Sequence, residues 1–246
     1  YQGPEGTAAL AVVAPIWNII YSLGLLMGIG GSVIYGLIKG QAESSSQREY
    51  QYFSTAVIGS FILAAVSWAV IVFFDSELLT FFGAEGNLLP LAKAYMIPIK
   101  FVLPCFLFTQ MLAAFLRNDN NPTLATLGTL SGGIFNIFGD YIFVFVFDMG
   151  IFGAGLATAI GAVISLVVML THFFSKKNSL VFVRPENFFS KLKKITVTGF
   201  STFFIDVAMG ILTMLFNRQI LQGLGTDALA VYGVIVNVST MVQCCA

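Results

Sequence analysis

TAALAVVAPIWNI, residues 7–19, returns 219 residues later as TDALAVYGVIVNV, residues 226–238, with seven of thirteen positions identical. The matches include Thr7 with Thr226 and Asn18 with Asn237, polar positions that apolar helix filler does not account for. The two segments are read as copies of one unit, and the chain between them as one full repeat. What kind of repeat it is follows from composition. Hydrophobic residues make up 57% of the 246, charged residues only 10%, and the formal net charge is zero; a soluble domain carries about 25% charged residues. Mean hydropathy is +0.89. An ordinary soluble globule is excluded, and so is nucleic-acid binding, which needs a basic surface to release counterions.

A hydrocarbon core of roughly 30 Å takes about 20 helical residues. The runs between polar breaks give helices near residues 7–38, 52–74, 92–116, 123–147, 151–174, 195–221 and 226 onward, hence seven crossings. None shows the two-residue alternation of a barrel strand. An even number of crossings separates the two copies, which restores the chain direction, so the repeats are parallel and related by an axis along the membrane normal. The intact protein is expected to have about twelve helices in two six-helix lobes, with this chain lacking the first helix and most of the second lobe.

The turns alternate in charge. Lys39 and Arg48, Arg117, and Lys176, Lys177, Arg184, Lys191, Lys193 and Lys194 fall in loops 39–50, 117–122 and 175–194, nine of the twelve basic residues. The opposite loops hold Asp75, Glu77, Glu85, Asp148 and Asp227 against Lys93 alone. The positive-inside rule places the basic loops in the cytoplasm. Gly24 with Gly28 and Gly128 with Gly132 suit close helix packing. Cys105, Cys244 and Cys245 lack metal spacing and are read as packing residues. His172, the sole histidine, is read as an interface residue.

The run RNDNNPTLATLGTLSGGIFNIFGDYIFVFVFDMGIFGAGLATAIG (Arg117 to Gly161), with LGTDALAVYGVIVNV after the basic loop, resembles the multidrug and toxic compound extrusion family, within it the bacterial branch that includes MepA and DinF. The resemblance spans the chain, from that family's second helix into its eighth. It implies an all-α polytopic transporter of the cell membrane that exports amphipathic organic cations in exchange for Na+ or H+, with no cofactor. On this reading residues 1–174 form the N-terminal lobe, 175–194 a cytoplasmic basic linker, and 195–246 the start of the C-terminal lobe. The partners implied are the bilayer and small organic cations, and the full-length protein is expected to be monomeric.

Ionisable residues at membrane depth are costly and mark function by default, which singles out Lys100, Asp140 and Asp206. Asn136 precedes Asp140 by one helical turn and shares its face. The chain turns back near Met149, nine residues after Asp140 and nine before Thr158, so carboxylate, amide and hydroxyl meet at one depth. Oxygen sets of this kind suit a hard cation such as Na+, and a carboxylate in low dielectric can instead hold a proton. The resemblance implies the same cation site, completed by a further Asp from the first helix. Lys100 lies as far before the turn at Asp119 and Asn120 as Asp140 lies after it; it either pairs with Asp140 or snorkels to the outer interface beside Lys93. Asp206 matches an acidic position on the seventh helix of part of the family, which implies substrate or proton binding in the C-terminal lobe. Arg218 reads as an interface anchor.

Two rival readings follow from the same residues. An enzyme would need a nucleophile or metal constellation such as H-E-x-x-H, and none is present. A lipid-linked oligosaccharide flippase of the same lobed fold would need a cationic cavity, for which Lys100 is the one candidate.

Overall fold

The structure is a computed structural model and describes residues 3–41, 48–84 and 86–245. Glu85, residues 42–47 of the first basic loop, and the side chains of Thr226, Asn237, Cys244 and Cys245 lie outside the described set. The described chain is helical in the order α1 (Gly3–Gly40), α2 (Arg48–Phe73), a short α3 (Asp75–Phe81), α4 (Leu88–Asn118), α5 (Pro122–Asp140), α6 (Gly150–Leu170) and α7 (Phe188–Cys245). Six of these segments are long and apolar enough to cross a membrane: Glu5–Gly40, Arg48–Phe73, Leu88–Asn118, Pro122–Val146, Gly150–Phe174 and Phe188–Gly225. The seventh expected crossing is the arm of α7 beyond Gly225, where Asp227–Val236 is a shorter apolar stretch among the described residues.

Local chemistry sets the boundaries. Asn120 takes φ 57°, and Asn tolerates that left-handed turn; Pro122 then opens α5 at a position where its missing N–H costs nothing. Gly225, at φ 81° and ψ −175°, breaks α7 into two arms; the lack of a Cβ permits it. Two expected boundaries move. The loop after Phe74 contains a helical turn, α3, and α7 begins at Phe188 rather than at Ile195, so Lys191, Lys193 and Lys194 lie on a helix instead of in the linker. Asn187, at φ 50°, starts α7, its carbonyl accepting from the N–H groups of Ser190 and Lys191.

Small residues decide which helices touch. In α1, a Cβ on Gly24 would meet the Leu107 carbonyl of α4 at 2.6 Å, one on Gly28 would meet Met111 Cα at 2.8 Å, and one on Gly31 would meet Ala56 of α2 at 2.9 Å. Gly30 of α1 is closed in by the Ile195 carbonyl of α7, and Gly199 of α7 by the Leu26 carbonyl of α1. α1 is thus the post on which α2, α4 and α7 pack. Gly132 and Gly161 bring α5 and α6 together in the same way, and Gly128 sits under Met169. Lipid is as apolar as Leu, so close backbone approach, rather than apolar burial, drives such contacts in a membrane. Leu127, Leu130, Ile134 and Phe138 of α5, and Phe200, Phe204 and Leu212 of α7, remain exposed, which suits lipid contact.

Candidate functional site

Asp140 ends the regular part of α5, and the backbone passes at once into a π-helical turn, Tyr141–Val146. Turns of this kind recur at functional sites because the extra residue re-aims the side chains around it. One turn earlier, Asn136 Nδ2 donates to Thr158 Oγ1 of α6 at 3.1 Å. The Thr158 hydroxyl in turn donates to the Ala154 carbonyl at 3.0 Å and lies 3.3 Å from the Tyr95 hydroxyl of α4. The structure therefore brings Asn136 and Thr158 into contact, as the hairpin count requires, and sets Asp140 on the same wall. Asp140 Oδ1 is buried and has no hydrogen-bond partner among the described residues.

These groups open on a cavity of about 350 Å³ in the half of the molecule away from the basic loops. Its other walls carry Trp17 of α1, Tyr95 of α4, Thr213 and Asn217 of the first arm of α7, and Tyr232 and Gly233 of the second. Asp140 is the one carboxyl group among the described lining residues, which include no Lys, Arg or His. The repeat copies face each other here: a Cβ on Gly233 would touch Ala11 Cβ at 3.2 Å. A second cavity of about 230 Å³ shares Asn136 and Thr158 and extends toward the basic end past Gly132, Thr129 and Ser165.

Lys100 does not join this site. Its Nζ donates to Asp75 Oδ2 at 2.6 Å, and Lys93 lies 3.9 Å from the other carboxylate oxygen. The reason is angular. Tyr95 faces Thr158, and Lys100, five residues on, points about 140° away around α4, toward α3, which brings Asp75 over it. Of the two expected alternatives, pairing with Asp140 is therefore excluded, and Lys100 lies beside Lys93 on the same carboxylate. Burial opposes ionisation of Asp75, but the hydrogen bonds from Lys100 and Ser76 outweigh it and hold the carboxyl below its usual range. Asp206 also stays apart from the cavity of Asp140; it is half-buried on α7, one turn before Gly210, which approaches Asn18 of α1.

The sequence reading missed several groups. Tyr95 and Tyr232 carry no signal beyond being aromatic in an apolar run. Asn217, 2% exposed, is a polar interruption that neighbouring Arg218 obscured. The largest omission lies at the basic end. Asp119, fully buried, accepts from Lys39 Nζ at 2.8 Å, His172 Nε2 at 2.8 Å, the Ser179 N–H at 2.9 Å, Tyr35 Oη at 3.2 Å and the Ser179 hydroxyl. His172, at the end of α6 that meets the basic loop, is buried as well, and its Nδ1 lies 3.1 Å from Asn121 Nδ2. Burial alone would favour the protonated acid, yet the hydrogen bonds from Lys39, Ser179 and His172 prevail and hold the Asp119 carboxyl down to about 2. This cluster fastens the ends of α1, α4 and α6 and the 175–187 loop to one carboxylate. It also places the three basic segments on one face.

The profile of a family described as MatE matches residues 1–142. The chain is 29% identical over 231 residues to the multidrug export protein MepA of Staphylococcus saprophyticus subsp. saprophyticus, covering 92% of this chain and 50% of that protein. With MepA of Staphylococcus aureus strain MSSA476 the identity is 25% over the same span, again 92% and 50% of the two chains. The chain thus spans about half the length of the curated relatives it matches. Those relatives are named as exporters rather than enzymes. In fold it superposes on the MATE multidrug transporter DinF-BH, solved in complex with R6G, with TM-score 0.84 at 22% identity, over 95% of this chain and 52% of the other. An inward-facing multidrug resistance MATE transporter of the MOP superfamily gives TM-score 0.83 at 22% identity, over 97% and 55%.

Proposed function

This chain belongs to the MatE family, a multi-pass membrane protein by its helices, and from that premise we propose that the protein it forms part of is a plasma-membrane exporter that exchanges amphipathic organic cations for Na+ or H+. The observation that carries the reading is the buried, unpartnered Asp140 oxygen on the wall of an aromatic-lined cavity. A single carboxylate among rings of Trp17, Tyr95 and Tyr232 attracts a cation by charge and by ring quadrupoles without a rigid cage. The same carboxylate, with Asn136 and Thr158 beside it, is the candidate seat of the coupling ion: Na+ held by their oxygens, or a proton on Asp140. Drug and ion then compete for one group. Binding of either shifts the balance between inward- and outward-open states, because a ligand moves such an equilibrium only by its differential affinity for the two. Rocking of two six-helix lobes about the repeat axis gives the alternation.

The lipid-linked oligosaccharide flippase is the alternative, and what favours export over it is the charge of the site. A pyrophosphate needs convergent cations, whereas Lys100 is committed to Asp75 and no Lys or Arg lies among the described lining residues. Expression of the full-length protein in a drug-sensitive host should raise tolerance to cationic dyes. Unchanged tolerance with restored translocation of lipid-linked sugars would move the assignment to the flippase. The basic face is assigned to the cytoplasm by its charge: Cys at Lys177 should be shielded from an impermeant thiol reagent in intact cells and Cys at Glu77 should react, and the opposite pattern would invert the topology.

A further inference from the structure

Pro15 lies inside α1, and a proline has no N–H to give to the carbonyl four residues before it. That carbonyl belongs to Ala11, and it is answered from outside the helix: Asn217 Nδ2 of α7 donates to the Ala11 oxygen at 2.8 Å. Only the nitrogen end of an amide can serve a carbonyl, so this bond fixes which way the side chain points. The oxygen end, Asn217 Oδ1, is left buried with no hydrogen-bond partner among the described residues, in a side chain 2% exposed that lines the cavity of Asp140. Of the three buried side-chain oxygens without a partner among the described residues, two, Asp140 Oδ1 of α5 and Asn217 Oδ1 of α7, belong to residues lining this one cavity.

A buried acceptor left unpaired costs free energy, and a ligand that supplies a donor recovers it. We propose that the cavity selects cations bearing N–H donors, protonated primary or secondary amines, and that Asn217 is the residue that makes this selection. The inference rests on the organic-cation reading above and adds a requirement to it. An ammonium N–H reaches Asn217 Oδ1 while its charge and remaining donors turn to Asp140. A quaternary ammonium of equal charge satisfies Asp140 and the aromatic walls but leaves the Asn217 acceptor buried and unanswered. Discrimination of this sort is steep, because the penalty falls on the site and not on the ligand. Rotating the amide does not relieve it, since Nδ2 would then desert the carbonyl that Pro15 leaves open.

The test uses purified full-length protein and two fluorescent probes with the same ring and charge, 1-pyrenemethylammonium and its N,N,N-trimethyl counterpart. Wild type should bind the first about tenfold more tightly. Asn217→Leu removes the acceptor and should lower affinity for the ammonium to the level of the trimethyl probe, while the trimethyl affinity stays within about twofold. Asn217→Asp keeps an acceptor and gives up the amide donor; it should retain the ammonium preference, which a purely structural Asn217 would not allow. Equal weakening of both probes by Asn217→Leu, or loss of the preference in a folded Asn217→Asp, overturns the proposal. Equal binding of both probes by wild type overturns it too, while leaving the exporter reading in place. Binding of neither probe by wild type removes the organic-cation reading, and this inference with it.

Discussion

Asp119 and Asp140 stand at the two ends of α5, one in the turn before it and one at its last residue, and the fold treats them in opposite ways. Asp119 is fully buried and receives five donors from three separate segments. Asp140 lies on a cavity wall with one oxygen unanswered. A saturated carboxylate has no capacity left for an exchangeable ion, and removing it strands its partners. An unsaturated one in low dielectric is held ready for a cation or a proton that must also be able to leave. On the proposed function, burial does not separate the structural carboxylate from the transport one; the count of committed donors does.

Substitution can break that contrast, beginning with the largest effect. Asp140→Asn keeps shape and removes charge, so drug tolerance conferred by the full-length protein should fall to background while membrane insertion and thermal unfolding stay close to wild type. Tolerance that survives would strip Asp140 of its role. Asp119→Ala should do the reverse. It leaves Lys39 and His172 without their acceptor and should cost about 3 kcal/mol of stability, read as a lowered unfolding temperature and reduced abundance, with ion coupling intact in the protein that remains. The Asp119 contribution also has a pH signature. Its folded value of about 2 lies below the unfolded carboxylate value of about 3.9, so the stabilisation is complete above that upper value and disappears as pH falls from about 4 through about 2. Wild-type stability should lose this increment over that window, and Asp119→Ala should not.

Smaller effects sharpen the comparison. Asn136→Ala and Thr158→Ala each remove a neutral oxygen or its support, and each should weaken ion affinity about fivefold, as one net hydrogen bond would; loss as complete as in Asp140→Asn would mean that the charge is not the principal ligand. Lys100→Met should matter least. Its pair with Asp75 is partly exposed and worth no more than about 1 kcal/mol, so export should persist, and Asp140→Asn with Lys100→Met should be as inactive as Asp140→Asn alone.

The parts of this contrast were unequally legible in the sequence. The spans, the repeat and the basic face follow from composition and charge, which act locally along the chain. Asp140, Asn136 and Thr158 were accessible because helical spacing and one hairpin turn fix their relation. Asp119 and its donors were not: His172 is 53 residues away, Ser179 60 and Lys39 80, and only the packing of α1, α4 and α6 brings them together. Lys100 was left with two directions, toward Asp140 or toward the outer interface beside Lys93, and it pairs with Asp75 next to Lys93. Depth follows from counting residues, whereas facing depends on rotation about α4 and on α3, a helical turn inside what reads as a loop. Asn217 acquires its meaning from Pro15, two hundred residues earlier, through a bond that no local pattern encodes.

The central claim, that Asp140 exchanges a coupling ion against a drug, is tested most directly by ion flux in liposomes containing the full-length protein, with a Na+ or H+ gradient imposed and a cationic dye added. Wild type should show dye-stimulated movement of one of the two ions, and Asp140→Asn, reconstituted to the same density, should show none. Dye-stimulated flux of equal size in both proteins would contradict the account.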